Sequence, residues 1–201
     1  MPAGLRLPEI HAVLCKQYSQ VTWIPKDIHN PIQKLFPGGR DNDPENLLLI
    51  LKEKNVSDPD DKYDFCLDQY NRLEHLFCMF GESRRSHVRF SDVLIFDTTY
   101  RTNRFKMPLA IFCAVNIHGQ TLPIAGGLLR NETREAYRWL FRTFLRAVDG
   151  KQPGSMLTDQ DHWMSQALEE IMPRTKHGFC IWHITQKFPQ HFRSKLGTAE
   201  R

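Results

Sequence analysis

Apolar and polar positions along this chain fall into blocks whose period changes at definite points. Residues 1–55 read as a mostly helical lead-in. Pro25 stands where a first helical turn tolerates proline, and Asp27, Ile28, Ile32 and Leu35 continue at helical spacing. Pro31 interrupts that pattern and Pro37-Gly38-Gly39 breaks it. A second short helix is predicted after Asp43-Pro44, through Leu47, Leu48 and Leu51. Beyond the polar connector Ser57-Asp58-Pro59-Asp60-Asp61, Tyr63, Phe65 and Leu67 alternate with polar neighbours as a half-buried strand does. A turn near Asn71 leads to a second strand, Leu73 to Phe80, and Ser83 to Phe90 reads as a short helix or loop. Val93-Leu94-Ile95-Phe96 is a continuous apolar run suited to a buried strand, with Asp97 at its end. Met107 to Val115 and Gln120 to Leu129 are two further strands about a turn at Ile117-His118-Gly119-Gln120.

The period then becomes helical. Ala136, Leu140, Phe144 and Val148, with Phe141 and Leu145, form one apolar stripe that Gly150 and Pro153-Gly154 terminate. Met156-Leu157-Thr158 is a brief strand closing at Asp159, followed by a helix through Met164, Leu168 and Ile171. Gly178 to Trp182 reads as a last strand entering a helix at His183. Strands interleaved with helices in this order predict an α/β fold, a mixed sheet flanked by helices. Acids at the carboxyl ends of strands stand where open α/β sheets place their sites.

Composition excludes some classes. Hydrophobic residues make up 41% of the 201 and charged residues 25%, which argues against disorder and against a fibrous protein. No stretch approaches the roughly 18–20 apolar residues of a membrane span, and the first residues lack the apolar core of a signal peptide. An intracellular soluble protein is expected, with no membrane partner. The five cysteines, odd in number and scattered, read as reduced thiols. The net charge of +4 is modest, but its distribution is uneven. Six Lys/Arg stand against two Asp from Arg84 to Lys106, and six against one Glu from Arg174 to Arg201. Such segments suit a phosphate backbone, and equally a solvated basic surface.

Asp97 and Asp159 each close an apolar strand, 62 positions apart. Carboxylates at buried strand ends suit a hard cation, and on neighbouring strands two of them could bridge a pair of Mg²⁺ ions roughly 3.5–4 Å apart. The same residues also suit strand-terminal turns or helix N-caps, and both readings stay open. Cys180 and His183, at i, i+3 spacing, are candidate zinc ligands, with His177 and His191 as the nearby extras; a packed cysteine and a positioning histidine are the alternative. Asp161 suits a helix cap as well as an outer acid of the site. Arg101, Arg104 and Lys106, just past Asp97, are candidates for phosphate contact. Trp139 and Trp182 read as core.

Several blocks resemble Mutator-like element (MULE) transposases. Phe96-Asp97-Thr98-Thr99-Tyr100-Arg101-Thr102-Asn103 with Met107-Pro108 is similar to the first catalytic block of that family. Val115 to Thr121, Gly126-Gly127-Leu128-Leu129, Glu132-Thr133 and the helix Tyr137 to Phe141 follow in family order. Thr158-Asp159-Gln160-Asp161 resembles the second acidic block, and Cys180 with His183 the Cys-x-x-His motif, across about residues 88–192. Relatives of this kind include the plant far-red-impaired-response proteins, domesticated transposases acting as transcription factors. The resemblance implies a helical N-terminal region over 1–57 and a partial RNase H-like domain over 58–201. It implies an Asp-Asp-Glu triad begun by Asp97 and Asp159, Mg²⁺ or Mn²⁺ as cofactor, DNA as partner, a nuclear location and room for a homo-oligomer. The family's Glu lies well beyond the Cys-x-x-His motif, and Glu200 stands in no family context. A domain truncated at its C-terminal end is therefore expected. The function it implies is two-metal DNA strand cleavage and transfer. The alternatives are a DNA-binding regulator without catalysis and a non-functional remnant.

Overall fold

The structure, a computed structural model, describes residues 43–99 and 105–185. The first described helix, α1, runs Asp43–Ser57, much longer than the short helix its leucines suggest. Next come β1 (Lys62–Leu67), β2 (Leu73–Met79) and α2 (Gly81–Arg89). They lead into β3 (Val93–Thr99), β4 (Leu109–Val115), β5 (Thr121–Leu129) and α3 (Arg134–Ala147). The chain closes with β6 (Ser155–Thr158), α4 (His162–Ile171) and β7 (Lys176–Phe179). Helical backbone resumes at 181–185. The proposed helix around Pro25 lies outside the described residues. So do Arg101, Arg104, His191 and Glu200.

The seven strands form one mixed sheet in the order β1-β2-β5-β4-β3-β6-β7. Pairing is antiparallel from β1 to β3 and parallel across β3, β6 and β7. This topology is compatible with the RNase H-like architecture that the resemblance implies. Alternation decides which side of the sheet each residue serves. Leu94, Phe96, Ala110, Phe112 and Ala114 are fully buried on the side covered by α3 and α4. The apolar stripe of α3 meets them there, with Phe112 stacked on Phe144 at 4.4 Å and Phe96 edge-on to Phe141 at 5.1 Å. On the other side α1 lays Leu47 and Leu51 against Leu76 and Leu128.

Close helix–sheet contact requires a bare backbone at one point. A Cβ added to Gly127 would stand 2.7 Å from Leu140 Cδ1 and 3.1 Å from the Leu76 carbonyl, so only glycine lets α3 settle this closely. The acidic connector has a structural use as well. Asp61 Oδ1 accepts the Gly81 amide at 2.6 Å at the start of α2, while Asp58 and Asp60 pair with Arg85. At the β4–β5 turn, Asn116 Oδ1 accepts the amides of His118 and Gln120, and Gly119 takes φ 73°.

Three expectations are corrected. Phe65 and Leu67 alternate as predicted but remain 38% and 45% exposed, because on edge strand β1 it is Tyr63 that packs against the leucines of α1. The last strand sits two residues earlier than its apolar run suggests. Its ladder ends where the Cys180 amide donates to the Thr158 carbonyl at 2.7 Å, and Ile181 lies 72% exposed on the helix beyond. Trp139 and Trp182 are half-buried: Trp139 packs against the core from its rim, 5.2 Å from His75, whereas Trp182 lies edge-on to His183 at 4.8 Å outside the core. Among the described residues no helix is long and apolar enough to cross a membrane, and the four cysteines are free. Burial pushes the Cys78 thiol up to about 11 and the Cys113 thiol up to about 12, so both stay protonated packing groups at neutral pH.

Candidate active site

The parallel pairing of β3 with β6 aligns Asp97 with Asp159. In β3 and β6, Val93 faces Ser155, Leu94 faces Met156 and Ile95 faces Leu157. The offset is 62 at each pair (155 − 93, 156 − 94, 157 − 95), the same separation as between Asp97 and Asp159. By that register the two aspartates stand level, Asp97 two residues before β3 ends and Asp159 directly after β6. Alternation puts both on one side, opposite the side that buries Phe96 and Met156.

Each carboxylate is held by its own turn. Asp97 Oδ1 accepts the Thr98 amide at 2.9 Å, and Asp159 Oδ1 accepts the Asp161 amide at 3.3 Å. Asp161 itself caps α4, accepting the Met164 amide at 2.8 Å. Behind Asp159, the Thr158 hydroxyl donates its one proton to the Asp159 carbonyl at 2.7 Å. It therefore accepts from His177 Nε2 at 2.8 Å, which fixes the His177 tautomer with its proton on Nε2.

Two residues join the site that strand patterns did not point to. The helical turn after β7 brings His183 Nε2 to 3.6 Å from Asp97 Oδ1. Glu132, in the loop between β5 and α3, accepts the Thr98 hydroxyl at 2.9 Å. β5 ends at the same edge as β3, because each is antiparallel to β4; that topology was the signal for Glu132. Burial pushes the Asp97 carboxyl above the usual carboxylate range. The charges of Asp159 and Glu132 push the same way, and His183 opposes them. A crowded carboxylate that resists its own charge is one that a cation would relieve, and two oxygen donors suit Mg²⁺, which keeps several waters and binds few carboxylates. The donor chemistry thus fits the ion.

Other metal arrangements fit less well. Cys66, Glu74 and His75 are the group among the described residues whose three donor atoms lie within 4.8 Å of one another. His75 Nδ1, however, accepts the Arg130 amide at 3.2 Å, so the ring proton sits on Nε2 and no lone pair remains for a metal. Cys180 and His183 share a turn, but His177 bonds Thr158 on the opposite side of the sheet. Lys106 is exposed with φ 55°.

Residues 93–187 match the MULE transposase domain. The chain is 38% identical over 152 residues to Protein FAR-RED IMPAIRED RESPONSE 1 of Arabidopsis thaliana, covering 76% of this chain and 18% of that protein. It is 34% identical over 196 residues to Protein FAR1-RELATED SEQUENCE 11 of the same plant, covering 96% of this chain and 28% of that protein. Protein FAR1-RELATED SEQUENCE 7, also from Arabidopsis thaliana, is 36% identical over 148 residues, or 74% of this chain and 19% of that protein. The chain thus spans 18–28% of the length of these curated relatives.

Proposed function

Residues 93–187 belong to the MULE transposase domain family, and from that premise we propose that the chain carries a DNA strand-cleavage site built on Asp97 and Asp159. The level placement of these two carboxylates on adjacent parallel strands carries the reading. Asp97 and Asp159 would hold a divalent cation, Mg²⁺ or Mn²⁺, which would supply Lewis-acid stabilisation of phosphodiester oxygens. The chain's own residues set the geometry. Asp97 and Asp159 would supply the oxygens, the Thr98 and Asp161 amides donate to them, and His183 stands beside the Asp97 carboxylate. Thr98 draws Glu132 to the same edge. A zinc ion at Cys180 and His183 would need about two further donors, so the geometry supports His183 as a positioning group for Asp97 instead. Lys106, Arg101 and Arg104 follow the Asp97 strand in sequence and would meet the phosphates of a bound strand. A nuclear location follows from a DNA substrate.

One observation favours a second reading, a DNA-binding regulator that keeps the fold without the chemistry. Among the described residues the acidic edge does not bring three donor atoms within 4.8 Å of one another. Incubation with supercoiled plasmid and Mn²⁺ separates the two. Cleavage by the wild-type chain, abolished by Asp97→Asn and by Asp159→Asn, supports the nuclease. Duplex binding that survives both substitutions, with no nicking under any divalent ion, supports the regulator.

A further inference from the structure

The outer face of α3 carries a row of arginines that the catalytic reading does not use. Arg134, Arg138, Arg142 and Arg146 recur every fourth residue, so they lie along one side of the helix, while its apolar stripe is buried. Three of them converge on one carboxylate. Arg138 and Arg142 reach Glu170 Oε1 at 2.7 and 3.4 Å, and Arg134 reaches Oε2 at 3.0 Å. Arg146 pairs with Asp64 at 2.6 Å.

Donors outnumber acceptors at this point. Each guanidinium offers five N–H groups and one carboxylate about four lone-pair positions. Nε of Arg134 and Nε of Arg138 are buried without a hydrogen-bond partner. Charge is in slight surplus as well: along the row and its groove four arginines face three carboxylates, Glu170, Asp64 and Glu135. The row borders a groove of about 860 Å³ with Trp139, Leu145 and Ile171 at its apolar floor. Arg142 and Arg146 are more than half exposed along it.

The position of the row relates it to the acid pair. α3 begins two residues after Glu132, which Thr98 ties to the end of the sheet that carries Asp97 and Asp159. From there the row extends twelve residues, about 18 Å along the helix axis. That length spans about five phosphates of one strand at 3.4 Å each.

We infer that the arginine row of α3 is a docking surface for the phosphate backbone of duplex DNA, on the side of the sheet opposite the one that carries Asp97 and Asp159. This rests on DNA being the substrate in the reading above. Phosphates supply acceptors for the unpartnered guanidinium N–H groups and the negative charge these carboxylates leave unmatched, and guanidinium forks bind phosphate in two-pronged fashion. Glu170 holds the arginines side by side and competes with the incoming backbone.

The test is fluorescence anisotropy of a labelled random-sequence 20-base-pair duplex with the 201-residue chain, at 50 and 150 mM salt. Arg142→Glu/Arg146→Glu should weaken binding at least about tenfold and lower the slope of log affinity against log salt by about two. Glu170→Gln should tighten binding several-fold, because it removes the competitor. A purely structural clamp between α3 and α4 gives the opposite sign: Glu170→Gln would lower the melting temperature and weaken or leave unchanged the binding. That outcome, or an unchanged affinity in the double variant, overturns the inference. Equal competition by poly-glutamate and by duplex at matched charge overturns it too, in favour of an acidic protein partner. Plasmid nicking separates the two readings. Nicking that persists in the double variant with unchanged duplex affinity leaves the cleavage site standing and removes the row. Row-dependent binding without nicking does the reverse.

Discussion

His183 Nε2 stands 3.6 Å from Asp97 Oδ1, so a residue from the last described helical turn faces the end of a central strand 86 positions earlier (183 − 97). The same carboxylate feels Asp159 and Glu132, both of which raise its cost of ionisation. Asp97 is therefore the point where site chemistry and fold stability pull against each other.

The first expectation follows from that conflict. Without metal, Asp97→Asn should raise stability by about 0.5 kcal/mol, a small gain because the side chain is 42% exposed and solvent screens it. With Mn²⁺ at a hundredfold excess over its Kd, the wild-type chain should gain about 2.7 kcal/mol and the variant nothing. Thermal melts with and without Mn²⁺ measure both. A variant that still responds fully to Mn²⁺ would remove Asp97 from the ligand set.

Acid should loosen the packing of α2 on α3. His87 is 1% exposed, lies edge-on to Phe144 at 5.5 Å, and has an Nε2 with no hydrogen-bond partner. Burial, with the charges of Lys151 and Arg84, holds its pKa down to about 4, against 6.5 for the free side chain. Between those values the unfolded chain binds a proton that the folded chain refuses. Stability should therefore fall as the pH drops below 6.5, with the loss complete below about 4 and amounting to about 3 kcal/mol. His75 and His177, also lowered by burial, act in the same direction. Urea midpoints at pH 7 and pH 5 read the effect, and His87→Gln should flatten it.

Gly127 has no room for a side chain. Gly127→Ala puts a methyl 3.1 Å from the Leu76 carbonyl and 2.7 Å from Leu140 Cδ1, so the leucine must move and the backbone must give. A loss of about 1–3 kcal/mol is expected. Gly119→Ala, with open space around its Cβ but φ of 73°, should cost about 1 kcal/mol through backbone strain alone. A smaller loss at Gly127 than at Gly119 would show that α3 does not rest on β5 as described.

Asp161 separates cap from site. As the cap of α4, Asp161→Ala should cost about 1 kcal/mol of stability, and Asp161→Asn or Asp161→Ser should restore most of it. A role in holding metal would instead show as a lost Mn²⁺ response at unchanged stability in the metal-free protein.

Much of this architecture was legible because it depends on local period. The alternation in β4, the apolar run of β3 and the stripe of α3 report their buried sides directly, since each side chain's direction follows from its place in the repeat. Asp97 and Asp159 stood out for the same reason: each is a carboxylate closing an apolar strand. The failures were equally local. The run from Gly178 to Trp182 reads as a strand, yet the ladder with β6 is spent at Phe179 and the chain turns into a helix. Phe65 and Leu67 have a strand's alternation but stay exposed on an edge strand whose Tyr63 alone packs against the leucines of α1.

The sequence by itself determined the element types, the family blocks and the two aspartates, because period and strand-end chemistry need no partner. Only the tertiary structure decided which strands lie side by side, and so that a 62-residue separation becomes level placement. It alone brought His183 and Glu132 to Asp97 and gathered three arginines on Glu170. Those contacts join residues far apart in the chain through sheet order and helix packing, and no local pattern encodes that order.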